Sequence, residues 1–574
     1  MRRVWDFGNT TVRNPNRLRD GLVILANEFQ GKLQGKIAEA KFSKRLSEEG
    51  IIKTSGSQPD WFGRKWRSAF VKLGFITNKF RGELVERFKK VENSLGLKGE
   101  AYELTPAGKL LIQANSLGAI EDVFLRQLAH LELNSPTEDK YPNGNMKPFI
   151  FLLQVIYRLQ KEDMEGLNKF EIGVFVIPFK NHTKVVVLET VSKIKKYRAE
   201  REKILGSVQR KKFDKEILVK VGQECHIQAY SLIDYADTCV RYSKLSGLVA
   251  PNHRRLILRD NKIDAIEALI NREVDFLSNS GSDCCGYLEN FYKGASLPTD
   301  EPLLAHKEIE RLISKIKERG REIPFRFRVL QGNEETKTLE QARYDLLDLY
   351  VETEEEKFAS TQNKFLEDIF EYIDSVQKDR RRIREDIDDP ASYLEWAVWR
   401  AFLAIDHIVN PLKETRKFPI DQDIRPLNHA PANVPDMIFE FESFILVVEV
   451  TLTTSGRQEA MEGEPVRRHV ANIALKFPQK QVYALFLAPK IDVNTSETFR
   501  RGIWYSGAKG LSVKIVPMDL EQFKLIVSFL VETNSRPSSL LELLDRCLEC
   551  KEKVNSPVEW VEMIRERTQG WLVK

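Results

Sequence analysis

The chain has 574 residues, 42% of them hydrophobic and 30% charged, and a formal net charge of +5. This composition excludes collagen-like and disordered proteins, and the length predicts about three or four domains rather than one core. No apolar run is long enough to span a bilayer, and no apolar segment follows the N-terminal arginines as a secretory signal requires.

The six cysteines are too few for a disulfide scaffold. Cys547 and Cys550 form a lone C-x-x-C without a second pair or a nearby histidine, whereas a structural zinc site needs four ligands. We therefore expect reduced thiols and a cytoplasmic protein.

The N-terminal segment "NTTVRNPNRLRDG" is polar and carries Arg13 and Arg17. It is either an arm that follows DNA phosphates or a solvated lead-in to the helix predicted after it. The sequence favours neither.

Residues 60–76 predict a helix and a turn, followed by a short strand and a second helix that begins at Pro106. Trp66, Phe70 and Leu73 recur at helical spacing and form an apolar stripe. This order is typical of a winged helix, a helix-turn-helix with a β-wing whose second helix enters the major groove. The basic residues that stand off the stripe are candidate DNA contacts: Arg64, Lys65 and Arg67.

A second copy of this pattern occupies residues 232–270, where a helix ending in "SGLV" precedes a wing-like strand and another helix. One winged helix is compatible with a protein-interaction module, but two in series favour DNA. Its candidate DNA contacts are Arg241, Lys244, His253, Arg254 and Arg255. Ahead of it, Ser192–Lys220 holds eleven Lys or Arg against four Asp or Glu. That excess fits either a phosphate backbone or an exposed, salt-bridged helix.

From Pro302 to Asp388, apolar residues recur every three or four positions in long charged segments, which predicts a helical connector. The remaining pattern predicts an α/β domain with a mixed sheet of about four strands. Its expected elements are a helix over 393–409, strands at 437–442 and 444–450, a helix over 465–476, a strand at 481–489, a helix over 496–507, a strand at 511–520 and a helix over 520–532.

Two acids accompany the strand pair "VPDMIFEFESFILVVEV": Asp436 precedes the first strand, and Glu449 follows "FILVV" in the second. If a turn near Glu442 makes the strands antiparallel neighbours, both carboxylates face one point, as Mg²⁺ requires. A carboxylate in such an apolar run is costly unless it is paired or metal-bound. The alternative is that Glu449 caps its strand or pairs with an arginine.

Three further residues favour a metal site. Glu395 shares a helix face with Phe402 and so is predicted to point inward, although the helix dipole also favours an acid in a first turn. Glu462 lies just ahead of a helix begun by Pro465, and His469 follows it by about two helical turns. Four acids and a histidine in one α/β domain resemble a phosphodiester hydrolysis site.

The segments that carry these residues resemble the type IIS restriction endonucleases of the AlwI, BstNBI and MlyI group, which includes strand-specific nicking enzymes. The most specific are "PDMIFEFESFILVVEVTLTTSG", "MEGEPVRRH", "YLEWAVWRAF" and "YADTCVRYSKLSGL". The resemblance implies a multidomain α+β protein. Its DNA-recognition domain is residues 1–290, with two winged-helix subdomains at about 40–130 and 160–285. A helical linker at 291–385 and a PD-(D/E)xK nuclease domain at 386–574 follow.

Carried over by position, the resemblance implies five catalytic residues: Asp436, Glu449, Glu462, His469 and Glu395. It implies that Asp436, Glu449 and the backbone carbonyl of Val450 hold Mg²⁺, with Glu395 at a second ion or its water. The wider motif has lysine at position 451. This chain has Thr451, as do the relatives near BstNBI, so the role of that lysine is unassigned.

The implied function is Mg²⁺-dependent cleavage of double-stranded DNA, a few base pairs to one side of a short asymmetric site, in the bacterial cytoplasm. One active site cuts one strand, so cutting both needs a second nuclease domain, from a homodimer or a separate small subunit. Two alternatives are a structure-specific repair nuclease with the same core and a winged-helix regulator with a degenerate nuclease domain.

Overall fold

The computed structural model describes residues 3–573 except 13, 53–58, 83, 139–144, 272–276, 278–283, 329, 331–333, 379–383, 385, 388, 432 and 507–508. Its contacts divide the chain into two compact units, Met1–Tyr350 and Val351–Lys574. The α+β class predicted from the sequence is confirmed, since helices dominate and a mixed sheet lies in the second unit. Among the described residues, no helix combines the length and apolarity needed to cross a membrane.

The first unit is built mainly of helices. They are α1 (Arg17–Glu28), α2 (Lys36–Glu48), α3 (Pro59–Lys72), α4 (Leu84–Ser94), α5 (Pro106–Gln113), α6 (Leu117–His130), α7 (Pro148–Lys161), α8 (Lys169–Glu171), α9 (Lys184–Glu202), α10 (Ser207–Glu224), α11 (Ala229–Lys244), α12 (Ile263–Asn271), α13 (Cys284–Lys293), α14 (Pro302–Glu318), α15 (Phe325–Arg328) and α16 (Thr336–Ala359), whose end lies in the second unit. Its strands are β1 (Leu167–Asn168), β2 (Val249–Asn252) and β3 (Arg255–Leu258).

Around α1–α3, single antiparallel bridges take the place of strands. Lys32 pairs with Glu103, and Ile76 pairs with Leu104, so the segment at 103–104 lies between the other two. The helix predicted to begin at Pro106 does so: Thr105 caps α5, and Pro stands at its first position, where no N–H is needed.

Farther along the first unit, β1, β3 and β2 form an antiparallel sheet in that order. Leu167 pairs with Leu256, and Leu258 pairs with Val249. A π-helical turn at Ile172–Val176 continues α8, and α11 leads into β2.

The charged region after residue 302 is helical in the structure, as expected. One apolar cluster joins α14, α15 and α16 through residues such as Ile309, Leu312, Leu339 and Leu346. The helical period of the sequence therefore reflects a packed core as well as solvated faces.

The second unit has a mixed sheet of four strands, as predicted. They are β4 (Met437–Glu440), β5 (Phe444–Val450), β6 (Gln481–Ala488) and β9 (Lys514–Asp519), and they lie side by side in that order. β4 is antiparallel to β5, whereas β5, β6 and β9 are parallel. The unit has two further strands, β7 (Ile503–Ser506) and β8 (Lys509–Ser512), which lie outside this sheet. Its helices are α17 (Leu366–Val376), α18 (Pro390–Ile405), α19 (Leu412–Thr415), α20 (Glu464–Lys476), α21 (Val493–Arg501), α22 (Leu520–Glu532), α23 (Pro537–Glu549) and α24 (Pro557–Leu572).

Helices cover both faces of this sheet, which explains why β5 reads as a continuous apolar run. On one face, the ring of Phe402 of α18 stacks on that of Phe439 of β4, with 4.5 Å between the ring centroids. The centroid of Phe402 lies 5.6 Å from that of Phe523 of α22. The crossover helix α20 connects β5 to β6 along the opposite face, with Val466 and Val470 buried.

The prediction was wrong at residues 496–520. The helix expected to reach 507 ends at Arg501, because Gly502 adopts a left-handed conformation (φ 51°). The following residues form an antiparallel hairpin of β7 and β8, separate from the central sheet. The single strand expected at 511–520 is divided between β8 and β9.

Candidate active site

Asp436 and Glu449 lie opposite each other at one end of the β4–β5 pair. Met437 pairs with Val448, and continuing that register by one residue places Asp436 opposite Glu449 on the same face. The N–H of Val450 donates to Asp436 Oδ2 at 2.8 Å. Asp436 is half-buried, and the side chain of Glu449 is buried.

Glu395 approaches these acids from α18. It is 5% exposed, and its Oε2 accepts a hydrogen bond from the N–H of Ala430 at 2.8 Å. This bond fastens the loop ahead of β4 to the helix. Burial, and then the negative charge of Asp436, raise the pKa of Glu395 well above its usual value, so the two carboxylates are electrostatic neighbours.

Glu462 lies in a π-helical turn, Glu459–Gly463, that runs directly into α20. Pro465 accounts for this widened turn, since it has no N–H to donate to a residue four positions earlier and its ring crowds that carbonyl. The charge of Glu462 helps to raise the pKa of both Asp436 and Glu449. This irregularity of the helix thus brings a fourth acid, after Asp436, Glu449 and Glu395, to the cluster.

His469 of α20 completes the cluster. Its Nδ1 lies 2.8 Å from Glu449 Oε1, and its buried Nε2 has no hydrogen-bond partner among the described residues. Burial and the charge of Arg468 lower the pKa of His469, which favours the neutral ring. With Glu449 ionised, Nδ1 carries the proton and Nε2 presents a free lone pair.

The cluster makes folding dependent on pH when no cation is present. Burial raises the pKa of Glu395, Asp436 and Glu449 well above the usual range, and the neighbouring carboxylates raise each of them further. A carboxyl whose pKa is raised by folding stabilises the protein below its unfolded pKa and loses that contribution as the pH rises through its folded pKa.

We therefore expect Tm in a chelator to fall as the pH is raised from about 5 to about 8. Added Mg²⁺ should raise Tm more at the higher pH, because a cation offsets the repulsion between ionised carboxylates. Glu395→Gln removes one charge and should flatten the pH dependence. A Tm that is equally insensitive to Mg²⁺ at both pH values would contradict this picture.

Position 451, where the wider motif has lysine, has a structural role here. The N–H of Thr451 donates to the carbonyl of Leu487 at 3.0 Å, and its Oγ1 accepts from the N–H of Thr453 at 3.2 Å. The side chain is only 8% exposed. Thr451 thus ends the β5–β6 ladder and offers no positive charge to the cluster.

Gln458 was not predicted from the sequence, yet it fixes the connection between β5 and the π-helical turn. It is fully buried; its Nε2 donates to the carbonyls of Thr453 at 2.5 Å and Lys490 at 3.0 Å, and its Oε1 accepts from the N–H of Asp492 at 2.9 Å. A single glutamine between polar residues gives no periodic signal that would reveal this role.

Gln458→Ala should lower the free energy of unfolding by about 2–4 kcal/mol, because three backbone groups lose the hydrogen bonds that this buried side chain gives them. It should also slow turnover, since the π-helical turn that carries Glu462 loses its support. Urea unfolding measures the first effect. The control is Gln479→Ala, an exposed glutamine, for which we expect a change within about 0.5 kcal/mol. Equal stability of the two variants would contradict this role.

Several predicted DNA contacts have partners within the first unit, and Arg13 lies outside the described residues. Arg17 donates to the carbonyl of Ile51 at 2.8 Å. Arg67 forms an ion pair with the buried Glu39. Arg17 and Arg67 therefore have structural contacts whether or not they also touch DNA.

In the second predicted winged helix, Arg241 is paired with Asp237 at 2.8 Å, one turn earlier in α11. Arg255 is paired with the buried Glu171 at 2.9 Å, which ties β3 to α8. These bonds hold together the elements around the small sheet.

The other predicted contacts are more accessible. Arg64 and Arg254 are exposed, the latter in the turn between β2 and β3. Lys65 is half-buried, with its Nζ 5.5 Å from the centroid of the Trp61 ring. Lys244 is half-buried at the last position of α11.

The donors of the cluster fit a hard divalent cation. Asp436 and Glu449 present carboxylates on one face, and the carbonyl of Val450 points to the same side as its N–H, which reaches Asp436. Within the described ranges, no three His, Cys, Asp or Glu side chains converge closely enough to hold a metal by themselves. The fit is therefore to an ion bound by two carboxylates and a backbone carbonyl, and Mg²⁺ commonly keeps several water ligands.

Carboxylates with raised pKa values, gathered with a histidine at one end of a mixed sheet, are typical of hydrolytic enzymes. The chain belongs to the AlwI restriction endonuclease family, whose model matches residues 71–526 and so includes the whole cluster.

One solved structure similar to this chain is the "Crystal structure of small subunit (R.BspD6I2) of the heterodimeric restriction endonuclease R.BspD6I". The identity is 24%, the match covers 36% of this chain and 98% of that chain, and the TM-score is 0.29. A comparison with curated proteins finds no match.

Proposed function

We propose that this protein is a type IIS restriction endonuclease that hydrolyses DNA phosphodiester bonds a few base pairs to one side of a short asymmetric site. Membership of the restriction endonuclease family gives the substrate class. The observation that carries the chemistry is the contact of His469 with Glu449, on the strand face where Glu449 lies opposite Asp436.

In this proposal Asp436, Glu449 and the carbonyl of Val450 hold Mg²⁺, and Glu395 holds a second ion or its water. When bound, Mg²⁺ polarises the scissile phosphate and lowers the pKa of a water ligand. The N–H of Val450 keeps Asp436 in position through its bond to Oδ2. The contact between Ala430 and Glu395 keeps the loop before β4 closed onto α18.

His469 is the proposed base. Its Nδ1–H is held by Glu449, so its Nε2 lone pair can accept a proton from the attacking water. Glu462, placed nearby by the π-helical turn, orients that water or donates toward the leaving oxygen. With no lysine at 451, the residues of this chain that handle protons lie on α20 and the turn before it.

We further propose that residues 1–290 read DNA through two winged helices, that 291–385 link them to the nuclease, and that 386–574 cut. The second winged helix is supported by the sheet order β1-β3-β2 together with the helices α7, α8 and α11. The first is supported by the two bridges that place the segment at 103–104 between Lys32 and Ile76. The proposed recognition helices are α3 and α11.

A single nuclease site cuts one strand, so the proposed protein either nicks DNA or acts with a second nuclease domain. That domain comes from a second copy of the chain or from a separate small subunit.

The test is digestion of a supercoiled plasmid with Mg²⁺, followed by run-off sequencing of both strands. We expect breaks at a constant offset from one short asymmetric sequence, on one strand or on both. Cutting that ignores sequence but acts on junctions or flaps would instead indicate a repair nuclease. No cutting at all would favour a DNA-binding regulator.

A further inference from the structure

The helices α9 and α10 form a hairpin between the π-helical turn Ile172–Val176 and α11, where a helix-turn-helix has only a short turn. Arg198, about one turn before the end of α9, ties the hairpin to the small sheet and α8. The guanidinium donates hydrogen bonds to Glu171 Oε1 at 2.7 Å and to the carbonyl oxygen of Gly166 at 2.6 Å. The outer part of the hairpin is an addition to the small sheet and its helices.

Side chains between the two helices make the hairpin rigid. Asp214 of α10 accepts bonds from Arg201 at 2.9 Å and from the hydroxyl of Tyr197 at 2.8 Å, both on α9. The rings of Tyr197 and Phe213 stack with their centroids 5.9 Å apart. The outer face of α10 is therefore presented in a fixed direction.

That outer face is cationic. Val208, Lys211, Lys212 and Lys215 are exposed and recur at the spacing of one helical face. Among the described residues, none of the three lysines has an ion pair, and Glu216, four residues after Lys212, does not pair with it. Like charges one turn apart are unfavourable in a free helix, and an anionic partner would relieve that repulsion.

The tip of the hairpin combines this charge with exposed apolar side chains. Leu205 is 86% exposed and Val208 is 73% exposed. A recess of about 310 Å³ beside them is lined in part by Arg201, Arg210 and Lys211. Apolar side chains flanked by cations suit a DNA groove, where they meet sugars and base edges between two rows of phosphates.

We propose that the outer face of α10, centred on Lys211, Lys212 and Lys215, binds the phosphate backbone of duplex DNA beside the recognition sequence. This inference rests on the proposed function. The hairpin leads directly into α11, the proposed recognition helix, and α10 packs against α11, so DNA bound on α11 would lie near this face. Contacts of this kind release counterions and add affinity without reading bases.

The test uses the full-length protein in a chelator and a duplex of about 40 base pairs of arbitrary sequence, with binding followed by fluorescence anisotropy. The variant is Lys211→Gln with Lys212→Gln and Lys215→Gln. The slope of log affinity against log salt concentration should be smaller in magnitude by about two to three for this variant. At about 0.1 M salt its affinity for the duplex should be lower by about tenfold or more. Replacing the same three lysines by arginine should preserve the wild-type slope.

The matched control is Lys307→Gln with Lys315→Gln and Lys317→Gln on α14, which makes the same change in net charge. The inference is overturned if the α10 variant keeps the wild-type slope, or if the control loses as much as the α10 variant. Thermal melting of each variant shows that the fold is retained. Wild-type protein that neither binds the duplex nor cuts a plasmid would defeat the proposed function instead.

Discussion

Asp436→Asn is expected to abolish DNA cleavage, with a fall in rate of at least about a thousandfold, equivalent to about 4 kcal/mol of activation free energy. The amide keeps an oxygen that accepts the N–H of Val450 but removes the charge that faces Glu449. Initial rates of plasmid nicking at saturating Mg²⁺ measure the loss. DNA binding in a chelator should be unchanged.

The same substitution should not weaken folding. It removes a buried carboxylate whose own pKa is raised by burial, and whose charge raises the pKa of Glu395, so Tm without a divalent cation should hold or rise at about pH 8. Loss of activity together with gain of stability distinguishes a charge needed for function from one that supports the fold.

Glu440→Gln is the matched control for Asp436→Asn. Glu440 lies on the same face of β4 and is ion-paired with Lys480 at 2.7 Å, away from the cluster. The pair is partly exposed, so its loss should cost less than about 1 kcal/mol and leave cleavage intact. Full cleavage by Asp436→Asn, or an equal loss in both variants, would contradict the role given to Asp436.

His469→Ala is expected to slow turnover by about a hundredfold or more, the usual contribution of a general base. The ring carries the one buried nitrogen of the cluster that has a free lone pair, as judged over the described residues. DNA binding should be unaffected, because the contact of His469 is with Glu449 inside the carboxylate cluster. Single-turnover cleavage and anisotropy measure the two quantities separately.

A purely structural role for His469 would give a different result. The variant leaves a space beside Glu449 Oε1, so added imidazole should restore part of the turnover if the ring transfers a proton. His306→Ala, on α14, where Nε2 of the ring lies 3.5 Å from Glu310 Oε1, is the control and should cleave normally. Weakened DNA binding by His469→Ala, with no effect of imidazole, would contradict the proposed base.

The sequence predicted the framework of the second unit well, because its elements have strong and simple periods. β5 is a continuous apolar run between a turn and a polar segment, and α22 is amphipathic with a capping box at Asp519. The hairpin of β7 and β8 was missed because "RRGIWYS" has too few residues to show a period of two. Gly502 was the available signal that the preceding helix ends there.

For the candidate site, spacing indicated which residues come together but not which atoms meet. The structure brings Glu395, Asp436, Glu449, Glu462 and His469 into one electrostatic cluster. The contact between His469 and Glu449 depends on how a crossover helix packs on a sheet, and local patterns do not encode that. The support from Gln458 is likewise a tertiary feature.

DNA contacts are harder to predict, because a sequence shows which residues are charged but not which residues they pair with. Arg67 and Arg255 look the same as Lys211 and Lys212 in a count of basic residues. In the structure, the two arginines pair with the buried acids Glu39 and Glu171. The two lysines have no ion pair within the described chain. Only the folded arrangement separates cations that hold the protein together from those left for a ligand.

The most direct test of the proposed function is the rate at which the wild-type protein relaxes a supercoiled plasmid, measured with a chelator and then across a titration of Mg²⁺. We expect no cleavage in the chelator and a rate that rises to saturation with Mg²⁺, because the proposed ligands Asp436 and Glu449 would then bind the ion. Cleavage that persists in the chelator, or an intact plasmid at every Mg²⁺ concentration, would contradict it.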